Sequence, residues 1–346
     1  MNFNQRRYRQ FLLTLLAFLP YLLYVWYVIA TSQAPIDYDT FMEIGRRVVE
    51  GAPVYGGNSY YPMPYAMVFG LFRLMPRPLS LALWLLIPVA LAWLISGRKP
   101  WVLLFGPLFG NFIGGQSAVF AMLGVWGYRR RPELERFSGG VWLALLAFKP
   151  QLAIFPTLYA GWQWLGYLRR ERKIPRQAWG WAGGIALYYL AGALVGGPGW
   201  VFDWLGNLRS ESLRAQAGIL PRTMMVLGLQ PPQPLFWILL AAAGLALFIG
   251  VWLWNRRRMP FDLWLLLSAT LNPLMHDYDL IQLIPLINTP LRRKAALLAS
   301  IPLWLVILFA YQNDAAWYVV TLIPPVLAAV ALKEDRAAAT RPQPAH

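Results

Sequence analysis

The segment FLLTLLAFLPYLLYVWYVIAT, residues 11–31, carries no charged side chain. One helix needs about 20 apolar residues to cross the hydrocarbon core of a bilayer, and this run supplies them. The basic stretch MNFNQRRYRQ precedes it. The run is too long for a signal-peptide core, and no small-x-small cleavage site follows. It therefore reads as a retained first transmembrane helix with its N-terminus inside. Comparable runs recur along the chain, among them Leu79–Ile95, Gln151–Leu168, Gln177–Gly197, Leu235–Trp254 and Ala295–Tyr311.

Composition agrees with that reading. Of the 346 residues, 58% are hydrophobic and only 13% are charged, where a soluble domain carries about 25% charged residues. Mean hydropathy is +0.45. The expected fold is an all-α polytopic membrane protein. A single transmembrane domain would span residues 1–336, followed by a disordered tail, 337–346.

The net charge is +16. Nucleic-acid recognition needs a basic face on a soluble fold, whereas these basic residues form short clusters between apolar runs. That is the positive-inside pattern, which orients a membrane protein and names no partner. Basic clusters at both ends place both termini in the cytoplasm and demand an even number of crossings, about twelve by window counting. Within residues 63–128, either Met63–Ile95 or Trp101–Tyr128 must cross only once. There is no cysteine, and the two histidines are His276 and the terminal His346. Thiolate chemistry and a histidine-rich metal site are thereby excluded. No cofactor is expected, although a carboxylate-bound divalent cation remains open.

The first polar loop, IDYDTFMEIGRRVVEGAPVYGGNSYYPMP (Ile36–Pro64), concentrates the carboxylates Asp37, Asp39, Glu43 and Glu50 at the expected outer face. Asp39 suits the N-cap of a short helix, Thr40–Glu50. Phe41, Ile44, Val48 and Val49 would share one face of it, with Arg46 and Arg47 on the other, as in an amphipathic helix lying in the membrane interface. Asp37 is then free to accept a proton from an attacking hydroxyl, since a carboxylate at a membrane mouth is tuned upward by partial burial. The plain alternative is a solvated loop acid.

Four further features invite chemistry. GPLFGNFIGGQ, residues 106–116, reads as polar, glycine-rich backbone between half-length helices, tolerated where it is buried or lines a cavity. Its Asn111 and Gln116 suit either a sugar or helix packing. Lys149, within an apolar stretch and before Pro150, must either snorkel or meet an anion, and phosphate is the attractive choice. His276, Asp277, Tyr278 and Asp279 end a helix and suit a phosphate or sugar, or a plain turn. In the second polar loop, Pro198–Arg222, Arg222 stands where the chain re-enters the membrane and suits a lipid phosphate.

Four ordered blocks add a family resemblance. They are IDYDTFMEIGRRVVEGAPVY with YYPMPYAMVFGLFRLMP, GNFIGGQSAVFAMLGVWGYRRR, SGGVWLALLAFKPQLAIFP, and LNPLMHDYDLIQLIP. Together, over roughly residues 11–290, they resemble glycosyltransferase family 87, multi-pass enzymes of the GT-C superfamily. The family's first-loop pattern, an aspartate, an aromatic four residues on, then G-x-x-x-Y, is matched by Asp37, Phe41, Gly51 and Tyr55. The resemblance favours Asp37 over Asp39 as general base. It places Tyr61 (in Tyr61-Pro62-Met63-Pro64), Gln116 and Lys149-Pro150 near the site. The final block departs from members richer in serine, tryptophan and histidine.

The resemblance implies inverting transfer of a hexose, mannose favoured, from a polyprenyl-phosphate donor to a glycolipid or polysaccharide acceptor, at the outer face of the cell membrane. Lys149, Arg222 and His276 would hold the donor phosphate. Asp39, Tyr61, Gln116, Asp277, Tyr278 and Asp279 would contact sugar or acceptor. The competing expectation is a transporter or flippase of polar lipids, which predicts coupling-ion carboxylates near the bilayer midplane.

Overall fold

The computed structural model describes residues 3–56, 59–208, 233–255, 258–309 and 319–340. Arg222 lies outside these residues. The described residues are all-helical, with no strand. Among the described residues, three helices are long and apolar enough to cross a membrane, at Gln10–Ala30, Arg77–Ile95 and Arg176–Gly196.

Helix α1 (Phe3–Ala30) buries Tyr21, Val25 and Val28 along one stripe and exposes Leu12, Leu16, Leu23 and Trp26. A helix apolar on both its packed and its open face needs an apolar solvent. The short helix α2 (Ile36–Glu50) follows. Its N-cap is Pro35 and its C-cap is Gly51, in the left-handed region at φ +67°. It therefore starts four residues before the expected Thr40, and Asp39 is not its cap. Proline has its φ already near the helical value and no N–H to satisfy, which suits a helix start. Asp37 and Asp39 both fall in the first turn, where the helix dipole favours negative charge. Tyr38, Phe41, Met42 and Ile44 are buried, and Arg46 and Glu50 face out. The amphipathic pattern is realised at Phe41 and Ile44, with Val48 half-buried, but Val49, expected on the same face, is 47% exposed.

Helix α3 (Met63–Arg73) packs across α2. A side chain at Gly45 would put its Cβ 2.5 Å from the Phe69 carbonyl oxygen, so only glycine permits this approach. Phe41 stacks on Phe69 at 4.6 Å. Pro76 separates α3 from α4 (Arg77–Ile95) as the N-cap of α4, with Pro78 in its first turn. A 3-10 turn, Pro100–Leu104, then leads to α5 (Gly106–Ile113) and α6 (Val119–Arg129). The expected open loop 106–116 is therefore helical over Gly106–Ile113. Pro107 starts this helix, and Gly106 lets it lie against Leu303, whose Cδ2 would be 2.8 Å from an added Cβ.

Helix α7 (Phe137–Ala144) runs into a 3-10 turn, Leu145–Phe148, and then α8 (Pro150–Glu171). Helices α9 (Arg176–Gly196), α10 (Trp200–Leu208), α11 (Gln233–Trp254) and α12 (Phe261–Leu271) follow. A 3-10 segment, Asp277–Leu286, precedes α13 (Pro290–Phe309) and α14 (Ile323–Thr340). The last helix passes the expected boundary at 336, so residues 337–340 are helical rather than disordered.

One ion network joins four of these helices. Asp262 accepts from Arg129 at 2.8 Å and from Arg292 at 2.5 Å, and Arg292 reaches Glu334 at 2.7 Å. Arg292 also donates to the Leu286 carbonyl at the end of the 3-10 segment. Arg292 is a buried tie, only 8% exposed.

Helices α7 and α9 meet through glycines, as membrane helices do when their backbones approach closely. A Cβ on Gly140 would lie 1.8 Å from the Gln177 carbonyl oxygen. Gly140→Ala should destabilise the protein by about 1–3 kcal/mol through overpacking. Gly161→Ala, with open space around it, should be neutral or stabilising. Thermal unfolding in detergent checks both.

Candidate functional site

Asp37 sits in the first turn of α2, partly buried. The turn after α5 comes up beneath it. Gly115, at φ +64°, permits that turn, and a Cβ there would press to 2.9 Å from Pro35 Cβ. Trp84 anchors the turn by donating to the Gly115 carbonyl at 2.7 Å. Gln116 is carried directly onto the base candidate, and its Nε2 donates to Asp37 Oδ2. Gln116 Oε1 is buried and has no hydrogen-bond partner. It is an acceptor placed to receive a hydroxyl beside the carboxylate. Burial holds the Asp37 carboxyl above its ordinary value, opposed by the Gln116 hydrogen bond and the positive charge of Lys149.

Lys149 does not snorkel. It caps the start of α8 and is 2% exposed. Its Nζ lies 2.5 Å from Asp279 Oδ1 and 4.5 Å from the centre of the Tyr278 ring. The anion it meets is thus a residue of the protein, across a separation of 130 positions. Asp279 is fully buried and also accepts the His276 backbone N–H at 3.0 Å, in a reciprocal cap with His276. The His276 and Tyr278 rings stack, with centroids 5.1 Å apart.

Helix α5 supports this segment from the other side. Asn111 Nδ2 donates to the Tyr278 carbonyl at 3.4 Å. Gly110 leaves room for Asp277, whose Oδ2 would be 3.5 Å from an added Cβ. Burial and the neighbouring Asp279 charge push the Asp277 carboxyl up to about 6. Tyr61 stands edge-on to Phe41 and Tyr65, at 5.1 and 5.3 Å. It feels the charges of both Asp37 and Asp279. Tyr278 feels Asp37, Asp277 and Asp279.

The fold thus gathers Asp37, Tyr61, Gln116, Lys149 and the 276–279 segment around one centre. Asp39 is elsewhere. Its carboxylate is 57% exposed and pairs with Arg77 at 3.2 Å, on a different face of α2. Residues of one helical turn spaced by two point to different sides, so Asp37 and Asp39 cannot share a site. Sequence reasoning missed Trp84, Gly115 and Tyr65, which donates to the Ser117 carbonyl beneath the centre. The adjacent glycines of GGQ were the available signal for the turn. Nothing marked Trp84 among 18 tryptophans.

Among the described residues no group of three or more histidine, cysteine, aspartate or glutamate side chains is placed to hold a metal ion. The chain matches no protein-family model, no curated protein and no solved structure.

Removing one partner of a buried ion pair strands the other charge. Lys149→Met or Asp279→Leu alone should each destabilise by about 3–5 kcal/mol. The double variant should recover most of that loss, because no charge is left stranded. Unfolding midpoints of the four proteins in one detergent measure the cycle.

Proposed function

We propose that the chain is an integral-membrane glycosyltransferase of the GT-C type, akin to family 87. In this reading a bundle of about twelve crossings keeps both termini in the cytoplasm and opens the site to the outer face. The donor is a polyprenyl-phosphate hexose, with mannose favoured, and the acceptor is a glycolipid or polysaccharide. The observation that carries the reading is the convergence on Asp37. A partly buried carboxylate, aimed by Gln116 and faced by Lys149 and Tyr61, is what deprotonating a sugar hydroxyl requires.

The Asp37 carboxylate takes the proton of the acceptor hydroxyl. The resulting oxygen nucleophile forms a bond to the anomeric carbon as the bond from that carbon to the phosphate oxygen breaks. The electron pair leaves with the polyprenyl phosphate, and the configuration inverts. Gln116 Oε1 accepts from a sugar hydroxyl and fixes the angle of approach. Lys149 is the cation for the departing phosphate. Since Asp279 already holds it, the ammonium must be shared between carboxylate and phosphate as charge develops. His276 stands beside that pair, and Arg222 keeps its proposed phosphate role.

A polar-lipid transporter is the second reading, and the buried Lys149–Asp279 pair is what favours it. Ionisable pairs inside a membrane bundle often move with a coupled ion.

Membranes bearing wild type or Asp37→Asn, supplied with polyprenyl-phosphate sugars and extracted lipids, separate the two. Transfer by wild type and a loss of about 100- to 10,000-fold in equally abundant Asp37→Asn is the expected result. Unchanged turnover overturns Asp37 as the base, and lipid flipping without sugar transfer overturns the enzyme. The base must be ionised, so the rate should fall as pH drops through the raised Asp37 value. Gln116 lowers that value by hydrogen bonding. Gln116→Leu should therefore shift the acid limb of the pH–rate profile to higher pH.

A further inference from the structure

A cavity of about 200 Å3 opens between α2, α3 and α4, and Asp37 is not part of its wall. Its charged walls are Asp39, Glu43 and Arg46 from α2, Arg73 from the end of α3 and Arg77 from the start of α4. Three guanidiniums thus face two carboxylates. Their partners divide them sharply. Arg46 is held by Glu43 and Glu50, and Glu43 also takes Arg47 at 3.1 Å. These arginines hold the Glu43 carboxyl down to about 2, so Arg46 and Glu43 have no charge to spare. Arg77 has Asp39 alone, at 3.2 Å, with both side chains more than half exposed. That is the weakest class of ion pair. Arg73 is exposed, and no side chain among the described residues pairs with it.

The position of the cavity identifies what can reach it. Phe18 of α1 meets Trp93 of α4 at 5.7 Å, and Tyr38, soon after α1, donates to Ser80 near the start of α4. The two candidate spans therefore run side by side in opposite directions, with the end of α1 beside the start of α4. The cavity lies where both leave the apolar layer. Leu71, Leu74 and Leu79, each at least 50% exposed, surround the two arginines. One unpaired and one weakly paired guanidinium beside exposed leucines, at the end of a membrane span, match an amphiphile with an anionic head and apolar chains. Such outward arginines also run against the positive-inside bias.

We propose that this cavity binds the phosphate of an anionic membrane phospholipid. Arg73 and Arg77 grip the phosphate oxygens, as guanidinium forks do, and the acyl chains lie along Leu71, Leu74 and Leu79. Asp39 yields Arg77 to the lipid. The bound head braces the α2–α4 seam at Tyr38, the residue next to Asp37. The proposal does not depend on sugar transfer, because its test reads lipid binding alone.

The full chain, purified in detergent, is titrated with phosphatidylglycerol or phosphatidylcholine and read by native mass spectrometry. Phosphatidylglycerol should be retained in preference to phosphatidylcholine. Arg73→Gln should weaken it about fivefold, as expected for one cation near an anionic lipid. Arg98→Gln, past the far end of α4, should leave it unchanged. Asp39→Asn should strengthen binding by freeing Arg77, a gain that a misfolded variant cannot give. Equal retention of the two lipids overturns the proposal, as does wild-type binding by both Arg73→Gln and Asp39→Asn. Displacement of phosphatidylglycerol by equimolar inorganic phosphate overturns it too, making soluble phosphate the ligand.

Discussion

A lysine ammonium and an aspartate carboxylate, both removed from solvent, hold the centre of this protein. Lys149 and Asp279 meet at 2.5 Å with almost no exposure. Neither charge is tolerable there alone, since desolvating a single ion costs several kcal/mol, on the order that a whole domain has to spare. Each therefore dictates where the other must be. The start of α8 is pinned to the 3-10 segment Asp277–Leu286 by this contact. Tyr278 is then set under the ammonium, His276 stacks on Tyr278, and Asp277 is turned toward Gly110 of α5.

The same constraint sets the electrostatics around Asp37. Lys149, which is paired with Asp279, also favours ionisation of Asp37. Asp37 is left as a carboxylate whose ionisation is opposed by burial and helped by one amide. The opposite end of the 3-10 segment is tied by Arg292, which links it to Asp262 and Glu334. The site segment is thus fastened at both ends by buried charge, with apolar packing between.

Much of the helical plan could be read along the chain. The apolar windows predicted α1, α4, α9 and α11 closely, because a helix in an apolar solvent announces itself by length and lack of charge. The break at Pro76 and Pro78 was equally legible, since proline ends helices by local sterics. Besides the tail at 337–340, two stretches were misread. Asp39 looked like a cap because its side chain type suits one, but Pro35 started the helix earlier. Residues 106–113 looked like open loop because of their glycines. Those glycines serve close contact with Leu303 and Asp277 instead, and contacts made by distant residues leave no local mark.

An all-helical chain with apolar helices suited to a membrane, an amphipathic segment after the first of them, and the polar residues worth watching could all be read from the residue order. These follow from spacing, hydropathy and proline, all properties of neighbours. Which of those polar residues share a centre emerged with the folded arrangement. It brought Gln116 to Asp37, gave Lys149 a protein carboxylate as its anion, and sent Asp39 away to Arg77. Charge pairing inside an apolar interior acts through space. Asp279 answers Lys149 across 130 positions of chain, and no local pattern encodes a partner that far away.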